Sequence, residues 1–306
     1  MSAVEASRRQ MRNAKNSQLR SLTAAVAFTA ALTVVGFPHD SLSVDGSALN
    51  APYVRAVTME RDQRSEPDAF ARKAGITLEE FRARHGASGL IRCGQATGSG
   101  QLTLASNVIT TAGHVFIAPG GKLRSATCTF EPTATPGVSV PIDLSSIVTG
   151  SSDPMQERAT LDWAVARLDA TPERARPYAI GEQPESPAPV MLYGGGNGQA
   201  ARTGVERCST RRMTAKAPEG IRELSFDCSA APGGSGAALL NDKNEVVAIF
   251  VGFRSLDASQ ARPFSDNHYN FAITVEGPFR RALLEMAAPA ATASASASAS
   301  ASNAAR

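Results

Sequence analysis

The chain has 306 residues, 42% of them hydrophobic and 19% charged, enough to bury a full core and too many for a small disulfide-stapled peptide. Its formal charge is +3, but residues 1–37 hold five bases (Arg8, Arg9, Arg12, Lys15, Arg20) against one acid, Glu5. The remainder therefore carries −1, which gives the bulk of the protein no electrostatic basis for holding nucleic acid.

The basic head runs into an apolar stretch at residues 22–37, made only of Ala, Val, Phe, Leu, Gly and three threonines. That is shorter than the ~20 residues needed to span a bilayer. A charged head before a short apolar segment reads as an export signal over residues 1–37. No clean small-x-small cleavage site follows, so a signal anchor, with residues 22–37 as a membrane tether, stays open. Ser7-Arg8-Arg9 hints at a twin-arginine signal, but the apolar run starts late for one. The expected location is secreted or periplasmic, with membrane anchoring as the variant.

Residues 38–66 are polar and punctuated by proline, and residues 38–87 together read as a linker or prosegment with short helices. Ser65 with Asp68, and Thr77 with Glu80, each have capping-box spacing, and Gly75 and Gly86 sit where helices would stop. Residues 65–86 also fit a helix-turn-helix, which would imply DNA binding. The export signal and the missing basic surface favour a short helical hairpin packed on a larger domain.

From Ser88 short apolar runs alternate with glycine, proline, serine and asparagine turns. Strands are expected at 102–104, 108–110, 126–130, 138–142 and 164–168. They resume at 190–193, 204–208, 221–226, 237–240, 246–252 and 269–275, a spacing typical of an all-β sandwich or barrel. Between the two sets, residues 171–189 carry Pro172, Pro177, Pro184, Pro187 and Pro189, as expected of a connection between two β units. A short helix at 278–286 closes this domain, taken as residues 88–290. The Ala/Ser repeat at 291–306 has nothing to bury and is expected to be disordered.

Four cysteines, Cys93, Cys128, Cys208 and Cys228, all follow the leader. They form no CxxC pair and have no histidines near enough in sequence for a zinc site, so no metal or cofactor is expected. In an exported chain they read as two disulfides, with three connectivities open. Adjacent pairing, Cys93–Cys128 and Cys208–Cys228, would put one in each half of the domain. Free buried thiols are the alternative.

Three segments stand out in order: Thr110-Thr111-Ala112-Gly113-His114-Val115, then Leu161-Asp162-Trp163-Ala164-Val165, then Asp227-Cys228-Ser229-Ala230-Ala231-Pro232-Gly233-Gly234-Ser235-Gly236. Each alone is ambiguous, since a histidine after a strand, a strand-edge acid and a glycine turn all have structural uses. Together they resemble the trypsin/chymotrypsin superfamily of serine peptidases, in its secreted bacterial form. Thr111-Ala112-Gly113-His114 is similar to the family's T-A-A-H, Asp162-Trp163-Ala164-Val165 to D-I-A-L, and Gly233-Gly234-Ser235-Gly236-Ala237 to G-D-S-G-G. The order His, Asp, Ser is the family's own. Gly98-Ser99-Gly100-Gln101-Leu102, Tyr193-Gly194 and Asn270-Phe271-Ala272 fit the same pattern, so the resemblance covers residues 88–286.

The resemblance implies an all-β fold of two six-stranded antiparallel Greek-key barrels, with the active site in the cleft between them and a short C-terminal helix. It implies that His114 takes the proton of Ser235 as the hydroxyl attacks, while Asp162 fixes the imidazole tautomer. The N–H groups of Gly233 and Ser235 would form the oxyanion hole. Asp143 and Asp153 are weaker choices for the acid, and His39, His85 and His268 for the base. Ser229, six residues before the nucleophile, would floor the specificity pocket, with Val251 and Phe253 on its wall. An uncharged floor, and no histidine in Ile249-Phe250-Val251, imply an apolar or small residue before the scissile bond. Phe253 stands near a position usually held by glycine and would narrow the pocket. Asp227 is two positions from Ser229, so a slip in register would restore basic specificity. Gly234 replaces the aspartate that pairs with a new N-terminus in zymogens, so the oxyanion loop should order without that ion pair. The implied function is an exported serine endopeptidase acting on proteins or peptides. The alternative is a catalytically weak peptidase-fold protein that binds peptides.

Overall fold

The computed structural model describes residues 57–194 and 204–289. The expected export signal at residues 1–37, residues 38–56 with His39, and the Ala/Ser repeat lie outside the described residues.

Two short helices come first, α1 (Pro67–Lys73) and α2 (Leu78–His85). The first barrel then uses β1 (Ser88–Cys93), β2 (Ala96–Leu102), β3 (Val108–Thr111), β6 (Cys128–Pro132), β7 (Val140–Thr149) and β8 (Ala164–Leu168). Between β3 and β6 lie a one-turn helix, α3 (Gly113–Phe116), and a small strand pair, β4 (Ile117–Ala118) with β5 (Lys122–Leu123). The second barrel uses β9 (Ala188–Tyr193), β10 (Val205–Lys216), β11 (Arg222–Phe226), β12 (Ala238–Leu240), β13 (Val246–Ser255) and β14 (His268–Thr274). Helix α4 (Gly277–Ala287) ends the described chain.

Both sheets close on themselves, in the orders β1-β2-β3-β8-β7-β6 and β10-β11-β14-β13-β12-β9, with antiparallel pairing throughout. Closure removes the edge strands that an open sheet would expose. One hydrophobic cluster joins Ile91, Leu102, Ile109, Phe130 and Val165 of the first barrel to residues of the second such as Val205 and Ile249, and a second cluster around Leu192, Phe226 and Phe250 belongs to the second barrel alone. Cys93 and Cys128 are register partners on β1 and β6 and form one disulfide; Cys208 and Cys228 form the other. Adjacent pairing is therefore the connectivity adopted. A link across 35 residues stabilises by ~3–4 kcal/mol on the chain-entropy model.

Most strands fall where their apolar runs predict them, but β1, β4, β5 and α3 were not anticipated, and the strand expected at 102–104 lies earlier, as β2, which ends at Leu102. β10 runs to Lys216, well past the expected end at residue 208, because its outer half is exposed and carries Arg211, Arg212 and Lys216. The capping boxes differ in outcome. Thr77 and Glu80 make theirs, with each side chain bonded to the other's main-chain N–H. Ser65 and Asp68 do not: Glu66 occupies the N-cap position and Pro67 starts α1. Asp68 pairs instead with Arg72.

The expected linker also behaves differently from Val57 onward. Val57 and Met59 are buried, and residues 57–60 run as a strap along the second barrel. Val57 N–H donates to Asn270 Oδ1 at 2.9 Å, and Glu60 N–H donates to the Arg262 carbonyl at 2.8 Å. The two helices then pack as a hairpin, with Phe70 edge-on to Phe81 at 5.7 Å and Phe81 edge-on to Tyr193 at 5.4 Å. At the other end, α4 carries Pro278 in its first turn and buries Phe279, Leu283 and Met286 on one face. Phe279 stacks on Trp163 at 5.1 Å, which fastens this helix beside β8.

Candidate active site

His114 sits on α3, the single turn that follows β3. Asp162 ends a 3-10 turn (Ala159–Leu161) immediately before β8, the strand paired with β3. Strand pairing therefore brings residues 48 apart in sequence into contact. Asp162 uses both oxygens on one partner: Oδ1 accepts the His114 main-chain N–H at 2.8 Å, and Oδ2 lies 2.6 Å from His114 Nδ1. His114 is 5% exposed and Asp162 1% exposed. With Nδ1–H donating to the carboxylate, neutral imidazole keeps Nε2 as its proton acceptor. Gly113 makes the approach possible, since a Cβ there would lie 3.2 Å from Asp162 Oδ1 and 3.0 Å from Pro154.

Ser235 lies on the turn before β12 and is 8% exposed. Gly233 and Gly236 flank it with φ of +91° and +89°, values that favour glycine. The carbonyls of this turn are held by the first barrel: Ser99 Oγ donates to the Gly233 carbonyl and Ser99 N–H to the Ser235 carbonyl, both at 2.8 Å. Gly234 N–H donates to Ala231 and Gly236 N–H to Phe250. The N–H groups of Gly233 and Ser235 donate to nothing among the described residues. Two unclaimed donors on a tethered loop are suited to an oxyanion. No hydrogen bond joins His114 Nε2 to Ser235 Oγ among the described residues. Such contacts are commonly long in ligand-free sites and tighten with substrate.

The other acids and histidines are employed elsewhere. Asp143 accepts from Ser145, and Asp153 accepts the Gly120 N–H. His85 ends α2 against Phe81, and burial pushes its pKa down to about 4. His268 opens β14 and is buried, with Nε2 on the Thr58 carbonyl at 3.1 Å and Nδ1 on Ser255 Oγ at 2.9 Å.

Ser229 is wholly buried. Its N–H donates to Glu206 Oε2 at 3.0 Å, and its Oγ accepts the Met59 N–H at 2.8 Å. Val251 is buried on β13 and Phe253 is half-buried two residues on. Asp227 accepts Ser209 N–H at 2.8 Å and Arg211 Nε at 2.7 Å, so β10 claims its charge. That gives no support to a slip of Asp227 into the position of Ser229. Sequence reasoning missed three residues here: Ser99, Glu206 and Met59. Ser99 was visible inside Gly98-Ser99-Gly100, but its partners are 134 and 136 positions away. Glu206 gave a fainter sign, an acid in an apolar strand run. Burial pushes its pKa up to about 7, against the pull of the Ser229 N–H.

Two closed six-stranded barrels, with a buried His–Asp pair on one and a serine between glycines on the other, define the chymotrypsin-like class of fold. Residues 98–249 match the family described as the Trypsin-like peptidase domain, and the chain belongs to these serine endopeptidases. Among solved structures it is similar to a Glu endopeptidase, with 17% identity and a TM-score of 0.57 over 76% of this chain and 100% of that one. It is also similar to AL20, a thermostable serine protease from an extremophilic microorganism, with 13% identity and a TM-score of 0.50 over 67% of this chain and 98% of that one. No curated protein matches the sequence.

Proposed function

We propose that the protein is an exported serine endopeptidase that cleaves peptide bonds through Ser235, His114 and Asp162. Ser235 Oγ attacks the carbonyl carbon as His114 Nε2 takes its proton, forming an oxyanion held by the Gly233 and Ser235 N–H groups. Collapse gives an acyl-enzyme and releases the amine, which leaves with the proton from His114; water then reverses the sequence to free the acid. The observation that carries this reading is the doubly bonded, buried Asp162–His114 pair, which fixes both the ring and the main chain of the base.

Two disulfides fit an oxidising compartment outside the cytosol. Residues 22–37 would supply the export signal or a membrane tether. Among the described residues no helix is long and apolar enough to cross a membrane. Ser229, Val251 and Phe253 are uncharged, which favours a small or apolar side chain before the scissile bond. The lack of a His114–Ser235 hydrogen bond favours a second reading, a peptidase-fold protein that binds peptides without turnover. An active-site phosphonate separates the two: covalent labelling that depends on Ser235 supports the enzyme, and unlabelled, folded protein supports the binder.

A further inference from the structure

We infer that Glu206 is a positioning residue for substrate specificity, acting through Ser229 to hold the pocket floor from behind while residues 57–62 hold it from the other side. The inference rests on the peptidase reading, in which Ser229 floors that pocket. Each main-chain group along residues 228–230 that has a named partner is held by something distant in sequence. The Cys228 carbonyl accepts Asn270 Nδ2 at 2.8 Å, Ser229 N–H donates to Glu206 at 3.0 Å, and Ala230 N–H donates to the Val57 carbonyl at 3.1 Å. Asn270 Nδ2 also reaches the Val57 carbonyl, so the floor and the strap form one network.

Glu206 is the one acid in this network that directly holds the floor's main chain, and it is 4% exposed. An amide would make the same hydrogen bond without the cost of burying a charge. The groups facing Glu206 are Asp62 and Arg64, which follow the strap, and Asp227 beyond β11, with Arg211 of β10 paired to Asp227. Arg64 is itself bonded to Asp62, at 2.9 Å through Nε, and its charge draws Glu206 toward ionisation less strongly than burial opposes it. Burial, aided by Asp62 and Asp227, therefore brings its ionisation near neutrality. A small or apolar substrate side chain in the pocket lowers the polarity on the other side of Ser229 and so favours the neutral form of the carboxyl. Such substrates should bind less well as the pH rises through about 7.

The test uses the full chain, kcat and KM measured separately from pH 6 to 8, and a peptide with alanine or leucine before the scissile bond. In the wild type KM should rise several-fold across that range. Glu206→Gln should keep folding and kcat while removing the pH dependence of KM. Glu206→Leu leaves the Ser229 N–H without an acceptor and should raise KM about tenfold at every pH, with kcat within about twofold. If Glu206→Leu fails to fold, Glu206→Gln alone decides. An unchanged pH dependence of KM in Glu206→Gln, or a fall in kcat instead of a rise in KM in folded Glu206→Leu, overturns the inference. Wild-type protein that neither cleaves peptides nor labels at Ser235 overturns the peptidase reading, and this inference with it. An active wild type with indifferent variants overturns the inference alone.

Discussion

Ser99 Oγ donates to the carbonyl of Gly233 at 2.8 Å, and through that bond the first barrel sets the orientation of the loop that carries Ser235. The peptide whose carbonyl is pinned cannot turn it inward without breaking this bond. Gly234 has no side chain with which to hold the loop by an ion pair, so order here comes from Ser99, whose N–H also holds the Ser235 carbonyl. Ser99→Ala removes the hydroxyl bond and keeps the main-chain one. A hydrogen bond of this kind is worth about 1 kcal/mol, so kcat should fall roughly 3- to 10-fold with KM little changed. Steady-state kinetics on one peptide checks it; an unaltered kcat would mean that the loop is held by other contacts.

Gly236 is where the two barrels approach closely beside Ser235. A Cβ there would lie 2.2 Å from both the Ser99 carbonyl oxygen and Thr111 Oγ1, at a φ of +89°. Neither the backbone oxygen nor the buried threonine can withdraw, because Thr111 Oγ1 is itself bonded to Ser99 O at 2.7 Å. Gly236→Ala should therefore cost at least ~2 kcal/mol of stability and most activity. Urea denaturation followed by tryptophan fluorescence of Trp163 would report it. A variant as stable as the wild type would contradict this packing.

The architecture was largely legible in the sequence because barrel strands buried on one or both faces leave apolar runs between turn residues. β8 and β9 were found almost to the residue for that reason. The misses have physical causes. β10 extends on exposed arginines that carry no apolar signal, and α3 is a single turn, too short to show a helical period. At the proposed site, the motifs point to His114, Asp162 and Ser235 by position. Motifs are contiguous, so they gave none of the residues that hold these from afar. Ser99, Glu206 and the strap at Val57 and Met59 act through bonds spanning 23 to 213 positions, which no local pattern encodes.

Residues before Ser88 are built into the barrels, and truncation should expose that. Phe81 is buried against Tyr193, and Tyr178 Oη donates to the His85 carbonyl at 2.9 Å. A chain starting at Ser88 loses Phe70, Phe81 and the strap, whereas one starting at Val57 keeps them. Loss of one buried phenylalanine costs ~3–5 kcal/mol, enough to unfold a marginal domain. The shorter chain should therefore melt at a markedly lower temperature or fail to accumulate in soluble form. Equal melting temperatures would show that residues 57–87 are dispensable.

His85 predicts how stability changes on the acid side. Its pKa is pushed down to about 4 by burial, with Arg84 and Arg207 adding to the effect, while the unfolded chain titrates near 6.5. Below pH 6.5 the unfolded state binds a proton that the folded state refuses, so stability falls as the pH drops from about 6.5 to about 4. Glu206 acts in the opposite sense, since its raised pKa favours folding at low pH and that gain is lost as the pH rises from 4.5 to about 7. Replacing His85 with asparagine should reduce the acid-side loss, read as a smaller difference between urea midpoints at pH 7 and pH 5. An unchanged difference would place the acid sensitivity elsewhere.

The measurement that bears most directly on the catalytic account is peptide hydrolysis by the full chain, its Ser235→Ala and His114→Ala variants, and Asp162→Asn, with phosphonate labelling run in parallel. Triad members act as a unit, so the serine and histidine variants should each lose on the order of 10⁶-fold in kcat while unfolding at the wild-type denaturant concentration. Asp162→Asn should fall by about 10⁴-fold, because an amide no longer fixes the imidazole tautomer. Phosphonate should add once to the wild type and not at all to Ser235→Ala. Activity within tenfold of wild type in either the serine or the histidine variant, with the fold intact, would contradict the account.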